Sequence, residues 1–173
     1  RGSLLENEPM SKHTSYGIGG PAFAYITPKD RDDLYNILIF ATKFDIPVYF
    51  IGSGSNLLVS DNGINGIVLS PAKSLKILEI ENNLIIAESG VMLGKLVKES
   101  IKRNLTGLES LIGVPGTLGG ALVMNAGAFG GEISNYLISV DIMTSKGELK
   151  SYKSKDIDFS YRFSSFRTDE FIL

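Results

Sequence analysis

The stretch SLIGVPGTLGGALVMNAGAFGG, Ser110 to Gly131, holds 22 residues with seven glycines and no Asp, Glu, Lys or Arg. Glycine puts no Cβ between the backbone and a neighbour, and it opens the left-handed region of backbone conformation. Ordering so many flexible positions costs conformational entropy, so the segment is expected to surround something rather than merely to connect two elements. It is long enough to cross a bilayer. Pro115, Thr117, Asn125 and the glycines would strand polar groups in lipid, however, and no membrane span is expected. A second uncharged, glycine-marked stretch, IPVYFIGSGSNLLVS, runs from Ile46 to Ser60. The fold turns on what these two stretches hold between them.

A chain of 173 residues forms one large domain or two small ones. Its 17 basic and 19 acidic residues give a net charge of −2, which offers no basic field to a nucleic acid. The absence of cysteine excludes disulfides, thiolate nucleophiles and zinc–sulfur sites. The single histidine, His13, cannot build a metal cluster alone, and no metal site is expected. Leu4-Leu5 is too short for the apolar core of a signal peptide. The opening Arg1-Gly2-Ser3 reads as a tag remnant and is set aside.

In chain order, a glycine-broken loop leads into a strand from Ala22 to Thr27, ended by Pro28. Residues 29–44 carry Leu34, Ile37, Leu38, Ala41 and Phe44 at helical spacing, with charged residues mostly on the other face. Asp45-Ile46-Pro47 stops that helix, and Pro47 to Ile51 forms a strand running straight into Gly52-Ser53-Gly54-Ser55-Asn56. Strand, helix, strand and glycine loop make an α/β unit with its loop at the strand's carboxyl end, where ligands bind in such folds. Three short strands are predicted next: Gly66 to Leu69, Leu75 to Glu81 and Leu84 to Glu88, the last two joined by a turn at Asn82-Asn83. A helix follows over residues 91–104. After the long glycine-rich stretch come a strand from Leu137 to Met143, a turn at Lys146-Gly147, a return strand from Glu148 to Tyr152 and a helical turn at Ser154-Lys155-Asp156. The chain ends on Phe171-Ile172-Leu173, an apolar strand-like run without a visible partner, which reads as part of a longer protein. A composition break near Ser70-Pro71 divides residues 1–70, a small α/β subdomain, from residues 71–173, mainly β with helices.

Gly52 to Leu58, GSGSNLL, gathers backbone N–H groups and hydroxyls at one turn, a nest suited to a phosphate or diphosphate. It is neither a dinucleotide fingerprint nor a P-loop, since the third glycine and the Gly-Lys-Ser/Thr run are both missing. An ordinary glycine turn accounts for it equally well. In the longer stretch, Pro115-Gly116 signals a turn. Thr117 suits either a phosphate oxygen or the cap of a short helix over Leu118 to Met124. Close packing of that helix accounts for Gly119-Gly120 without a ligand, but poorly for Asn125-Ala126-Gly127. Together the two stretches suit a clamp on a partly apolar, diphosphate-bearing molecule such as FAD.

HTSYGIGGPA (13–22), IGSGSNLLVSDNGINGIVL (51–69), GLESLIGVPGTLGGALVMNAGAFGGEI (107–133) and YRFSSF (161–166) resemble, in order and spacing, the MurB-type UDP-N-acetylenolpyruvoylglucosamine reductases. The resemblance covers nearly the whole chain. It implies an α+β, two-subdomain FAD-binding fold of the vanillyl-alcohol-oxidase type, with tightly bound FAD between the subdomains. It implies that Gly52, Ser53, Gly54, Ser55, Asn56 and Leu57 hold the diphosphate. Gly113, Pro115, Gly116, Thr117, Gly119 and Gly120, with Asn125, Gly127 and Ala128, would line the rest of the cofactor. It further implies a cytoplasmic reaction in which NADPH reduces the flavin and hydride passes to the enolpyruvyl group of a UDP-sugar, giving UDP-N-acetylmuramate. The family's active-site arginine maps to Arg162. Hydride addition β to a carboxylate builds enolate charge there, and a guanidinium can bind that group bidentately. The family's substrate-binding domain, with its proton-donor serine and a glutamate nearer the C-terminus, is not found in these residues. The chain alone is therefore expected not to complete turnover. Ser164 and Ser165 are not expected to replace that serine, and His13 reads as a loop residue rather than a base. No membrane, nucleic-acid or obligate protein partner is indicated. Two other possibilities stay open: an FAD-dependent oxidase or dehydrogenase of the same fold, and a non-catalytic nucleotide-binding or interaction module.

Overall fold

The computed structural model describes residues 2–166 and 168–173. Arg1, part of the opening triplet, lies outside them. Strands β1 (Ser3–Pro9), β2 (Pro21–Thr27), β3 (Val48–Phe50) and β4 (Ile64–Leu69) form one sheet in the order β1-β2-β4-β3. The β1–β2 pair is antiparallel, whereas β2 and β3 both run parallel to β4. Helix α1 (Arg31–Lys43) makes the crossover between β2 and β3. Its first turn is capped by Asp30, whose carboxylate accepts from the Asp33 N–H at 2.9 Å. The expected strands and helix are present with bounds shifted by a residue or two.

Strand β1 was not expected. Ser3 pairs with Thr27, and the Gly2 N–H donates to Asp33, so Ser3 is built into the sheet and Gly2 is tied to α1 rather than lying outside the fold. Ser3 to Asn7 are all exposed, so this edge strand has no buried face to leave a pattern in the sequence.

The second half opens with the hairpin of β5 (Leu78–Glu81) and β6 (Leu84–Ala87), turned at Asn82 with φ of 52°. Strand β5 starts later than expected, because Leu75 is buried in the core and its carbonyl accepts from Gly90. Helices α2 (Leu93–Lys102) and α3 (Leu118–Val123) follow, then a small hairpin of β7 (Gly127–Ala128) and β8 (Gly131–Glu132). Strands β9 (Ser139–Thr144) and β10 (Leu149–Lys153) pair antiparallel around the expected turn at Gly147, and Ser154–Asp156 makes the expected helical turn. Strands β11 (Phe159–Ser160) and β12 (Phe163–Ser164) form a minimal hairpin, and β13 (Glu170–Ile172) adds to β9. The final apolar run therefore has a partner, correcting the expectation of an unpaired strand. The 22-residue glycine-rich stretch does not form one long helix: its longest helical piece, α3, has six residues. Among the described residues, no helix is long and apolar enough to cross a membrane.

Burial gathers into three clusters. One lies between α2, α3 and β9, around Leu93, Leu111, Ala121 and Ile142. A small one under β2 and β4 contains Met10, Tyr25 and Val68. The third packs α1 residues Leu34, Leu38 and Ala41 onto Ile26, Ile67 and Leu69, and it also takes in Met143, Phe171 and Leu173 from the far end of the chain.

Candidate functional site

The two glycine-rich stretches meet. Loop 52–57, leaving β3, faces the turn before α3, and Ser55 Oγ donates to the Pro115 carbonyl at 3.3 Å. Gly116 lies opposite with φ of 128°, and a Cβ there would stand 3.1 Å from Ser55 Oγ and 4.0 Å from Ser53 Oγ. A Cβ on Gly52 would likewise come within 2.5 Å of Thr117 Oγ1. These glycines permit backbone approaches that a side chain would block. Gly54, at φ of 72°, packs beneath the His13 carbonyl, while its own carbonyl accepts from the Ser15 N–H at 3.1 Å. The HTSYGIGG loop thus braces the nest from behind.

Thr117 caps α3 as expected, its Oγ1 accepting from the Gly120 N–H at 3.4 Å. Gly119 serves close packing, since its missing Cβ would lie 2.8 Å from the Ser89 Cβ. From α3 the chain turns at Asn125 into the β7–β8 hairpin, whose tip holds Phe129 at φ of 51° and 97% exposed.

Between these elements lies a cleft of about 840 Å³, a size typical of small-molecule sites. Gly52, Ser53, Gly54, Ser55, Asn56 and Leu57 line one side. Gly113, Pro115, Gly116, Thr117, Gly119, Gly120, Gly127 and Ala128 line another, with Arg162 at the edge. Asn125 is placed differently. It lines a smaller recess of about 390 Å³ together with Glu132, Asn135, Tyr161 and Arg162. Its Nδ2 donates to Glu132 Oε2 at 2.8 Å and to the Ser160 carbonyl at 3.1 Å. Arg162 is therefore common to both hollows. It occupies the turn between β11 and β12, not a strand, with φ of 57° and its guanidinium 5.7 Å from the Tyr161 ring centroid.

Several cleft residues carry no sequence signal of their own. Phe50, Pro71, Val123, Ala126 and Phe171 supply apolar wall. Ser89 and Ser110 line the cleft with Oγ atoms that are buried and lack a protein hydrogen-bond partner. Glu170 also lines it, buried, and accepts from the Tyr152 hydroxyl at 2.6 Å. Phe50, Ser110, Val123 and Ala126 lie inside the two stretches that composition marked, whereas Pro71, Ser89, Glu170 and Phe171 lie outside them. His13 is not in the cleft: it stacks on Tyr25 with ring centroids 3.8 Å apart and sits 3.1 Å from Glu8 Oε1. That contact, ahead of the nearby Lys12, holds the Glu8 carboxyl below the usual range.

The donor set fits FAD. The charged side chains lining the cleft, among the described residues, are those of Arg162 and Glu170. Near the Gly52–Leu57 nest a diphosphate would therefore meet backbone N–H groups and serine hydroxyls rather than a lysine. The unpartnered Ser89 and Ser110 hydroxyls await a polar ligand atom, and the apolar wall suits a flat ring. Among the described residues, no cluster of side chains could hold a metal ion.

The chain is 40% identical over 172 residues to the UDP-N-acetylenolpyruvoylglucosamine reductase of Caldanaerobacter subterraneus subsp. tengcongensis, covering 99% of this chain and 57% of that one. The chain thus spans little more than half the length of such relatives. The crystal structure of the Thermus caldophilus UDP-N-acetylenolpyruvylglucosamine reductase superposes with a TM-score of 0.80 at 30% identity, covering 99% of this chain and 59% of that one. The 6-hydroxy-D-nicotine oxidase of Arthrobacter nicotinovorans shares the fold alone, with a TM-score of 0.70 at 16% identity over 90% of this chain and 36% of that one. Both neighbours display the α+β architecture of the vanillyl-alcohol-oxidase and MurB flavoproteins, as expected from the motifs. Residues 22–152 match the family described as FAD binding domain, three-quarters of the chain, and the chain belongs to that family.

Proposed function

We propose that this chain holds FAD in the large cleft and is the cofactor-holding part of a UDP-N-acetylenolpyruvoylglucosamine reductase. The whole protein would use NADPH to convert the enolpyruvyl UDP-sugar to UDP-N-acetylmuramate. That step serves peptidoglycan precursor synthesis in the cytoplasm, and through it cell-wall growth, cell shape and division. Residues 1–70 and 71–173 form the two subdomains on either side of the cofactor. One observation carries the proposal: the two glycine-rich loops face each other at Ser55 and Gly116, and Arg162 stands at the edge of the cleft they frame.

Bound FAD supplies an acceptor for the electrons of NADPH and a hydride source for an activated double bond. The rest falls to the protein. The Gly52–Leu57 nest, with Ser53 and Ser55, would hold the diphosphate, and Gly113, Pro115, Gly116, Thr117, Gly119 and Gly120 would line the rest of the cofactor. Gly127 and Ala128 would line it as well, whereas Asn125 faces the smaller recess. Arg162 binds the substrate carboxylate bidentately and stabilises the charge that spreads onto it as the β carbon is reduced.

The test is NADPH oxidation by the flavin-loaded full protein. Consumption that depends on UDP-N-acetylenolpyruvoylglucosamine is expected. Flavin reduction by a different small molecule, with no response to the UDP-sugar, would instead identify an oxidase or dehydrogenase of the same fold. Purified protein that is colourless and shows no fluorescence change on adding FAD would overturn the cofactor assignment as well.

A further inference from the structure

Arg162 occupies a left-handed conformation, φ 57°, which a non-glycine residue keeps only when its surroundings enforce it. The hairpin that carries it has two residues in each strand, and so short a ladder is marginal by itself. Backbone and side-chain hydrogen bonds between Asp158 and Ser165 close its base, and two side chains tie it to the rest of the fold. Asn125 Nδ2 donates to the Ser160 carbonyl at 3.1 Å, on the strand entering the turn. Ser164 Oγ donates to the Val123 carbonyl at 2.7 Å, on the strand leaving it.

Both ties run to the end of α3, within the glycine-rich stretch. They are shielded from water, with Asn125 2% and Ser164 7% exposed. The Asn125 amide has one workable orientation. Reversed, its oxygen would face the Glu132 carboxylate and the Ser160 carbonyl, both of which only accept. Asn125 is itself left-handed, φ 41°, a conformation asparagine tolerates better than most residues.

We propose that Asn125 and Ser164 are positioning residues that fix Arg162 relative to the cofactor cleft, one on each side of the turn. What Arg162 does there rests on the reductase reading. What holds it rests on the hydrogen bonds alone.

Two measurements separate these. Limited trypsin digestion of the full protein, followed by mass spectrometry, reads cleavage of the Arg162–Phe163 bond. Ser164→Ala should raise that cleavage about tenfold, the scale of one lost buried hydrogen bond, and Asn125→Asp, which loses both Nδ2 bonds and faces Glu132, should raise it more, with cleavage after Lys43 unchanged. Steady-state kinetics then read the consequence. Each variant should lower kcat at unchanged flavin absorbance, and adding Arg162→Ala to either should cost little beyond Arg162→Ala alone, because the groups act as a unit. Unchanged cleavage at Arg162, or kinetic losses that simply add, overturns the proposal. Ser164→Ala is the milder change and decides the matter if Asn125→Asp does not fold. If the wild-type protein lacks reductase activity, the reductase reading fails, and the cleavage result alone decides whether the mount exists.

Discussion

Ser55 Oγ donates to the carbonyl of Pro115 at 3.3 Å across 60 residues of sequence. The hydrogen bond joins the two uncharged stretches and makes the turn before α3 a direct neighbour of the nest. Opposite Ser55, Gly116 has φ of 128°, and a Cβ would meet the serine hydroxyl at 3.1 Å. Gly116→Val is expected to cost about 1–3 kcal/mol in backbone strain and to lower flavin retention. Denaturant titration measures the first effect, and the flavin-to-protein absorbance ratio the second.

Gly54 and Gly17 separate conformational strain from steric overlap. Both have positive φ, 72° and 68°. A side chain at Gly54 would overlap the His13 carbonyl, whereas nothing lies within 4 Å of a Cβ at Gly17. Gly17→Ala should cost about 1 kcal/mol. Gly54→Ala should cost more, about 3 kcal/mol or above, as backbone must move. Equal losses in urea titrations would show that the brace behind the nest is not rigid.

Asp33 ties the chain's start to α1. Its Oδ2 accepts from the N–H groups of Lys29 and Gly2, each at 2.8 Å. The Lys29 backbone bond, chiefly, holds this carboxyl below its ordinary value. A depressed carboxylate adds stability that is fully present above the unfolded pKa, about 4, and is lost as pH falls through the lower folded value. Tm measured against pH should therefore decline on the acid side of pH 4, and Asp33→Asn should flatten that decline while lowering Tm at neutral pH.

Glu88 joins the two halves through its carboxylate. Oε2 accepts from the Ile77 N–H at 2.9 Å and Oε1 from Arg31 Nε at 3.3 Å. Glu88 is buried and Arg31 half exposed, so the ionic part is screened and the backbone bond matters more. Glu88→Ala should cost about 1 kcal/mol by removing the hydrogen bond that the Ile77 N–H donates, and Arg31→Ala less than that. Thermal unfolding of both variants checks the ranking.

Arg162→Lys keeps the charge but loses the planar fork. In the full protein it is expected to lower kcat for the UDP-sugar about a hundredfold or more, with the flavin spectrum unchanged. A rate within a few-fold of wild type would remove Arg162 from the proposed role.

Local pattern carried the fold wherever one face of an element is buried. Leu34, Leu38 and Ala41 repeat at helical spacing and all three are buried under α1. Strand β1 had no such record, because its pairing with β2 is a tertiary fact written on an exposed edge. The two glycine-rich stretches were legible separately, since glycine marks close approach, yet nothing periodic links Ser55 to Pro115. Arg162 was reached only through resemblance. Arginine has no preference for positive φ, so its turn could not be read from composition, and Phe129 is hidden for the same reason. Ser89 and Glu170 reach the cleft through the packing of distant elements.

The third apolar cluster bears on how the chain is made. Leu34, Leu38, Ile67 and Leu69 are translated early, but the cluster is closed by Met143, Phe171 and Leu173. At about 5–20 residues per second the roughly hundred residues between Leu69 and Leu173 take on the order of 5–20 s to synthesise. Through that interval the first sheet lacks the side chains that complete its apolar cluster. The cleft wall that Phe171 and Ile172 supply forms only after β13 has been made and docks, so the early glycine loop waits for residues more than a hundred positions downstream.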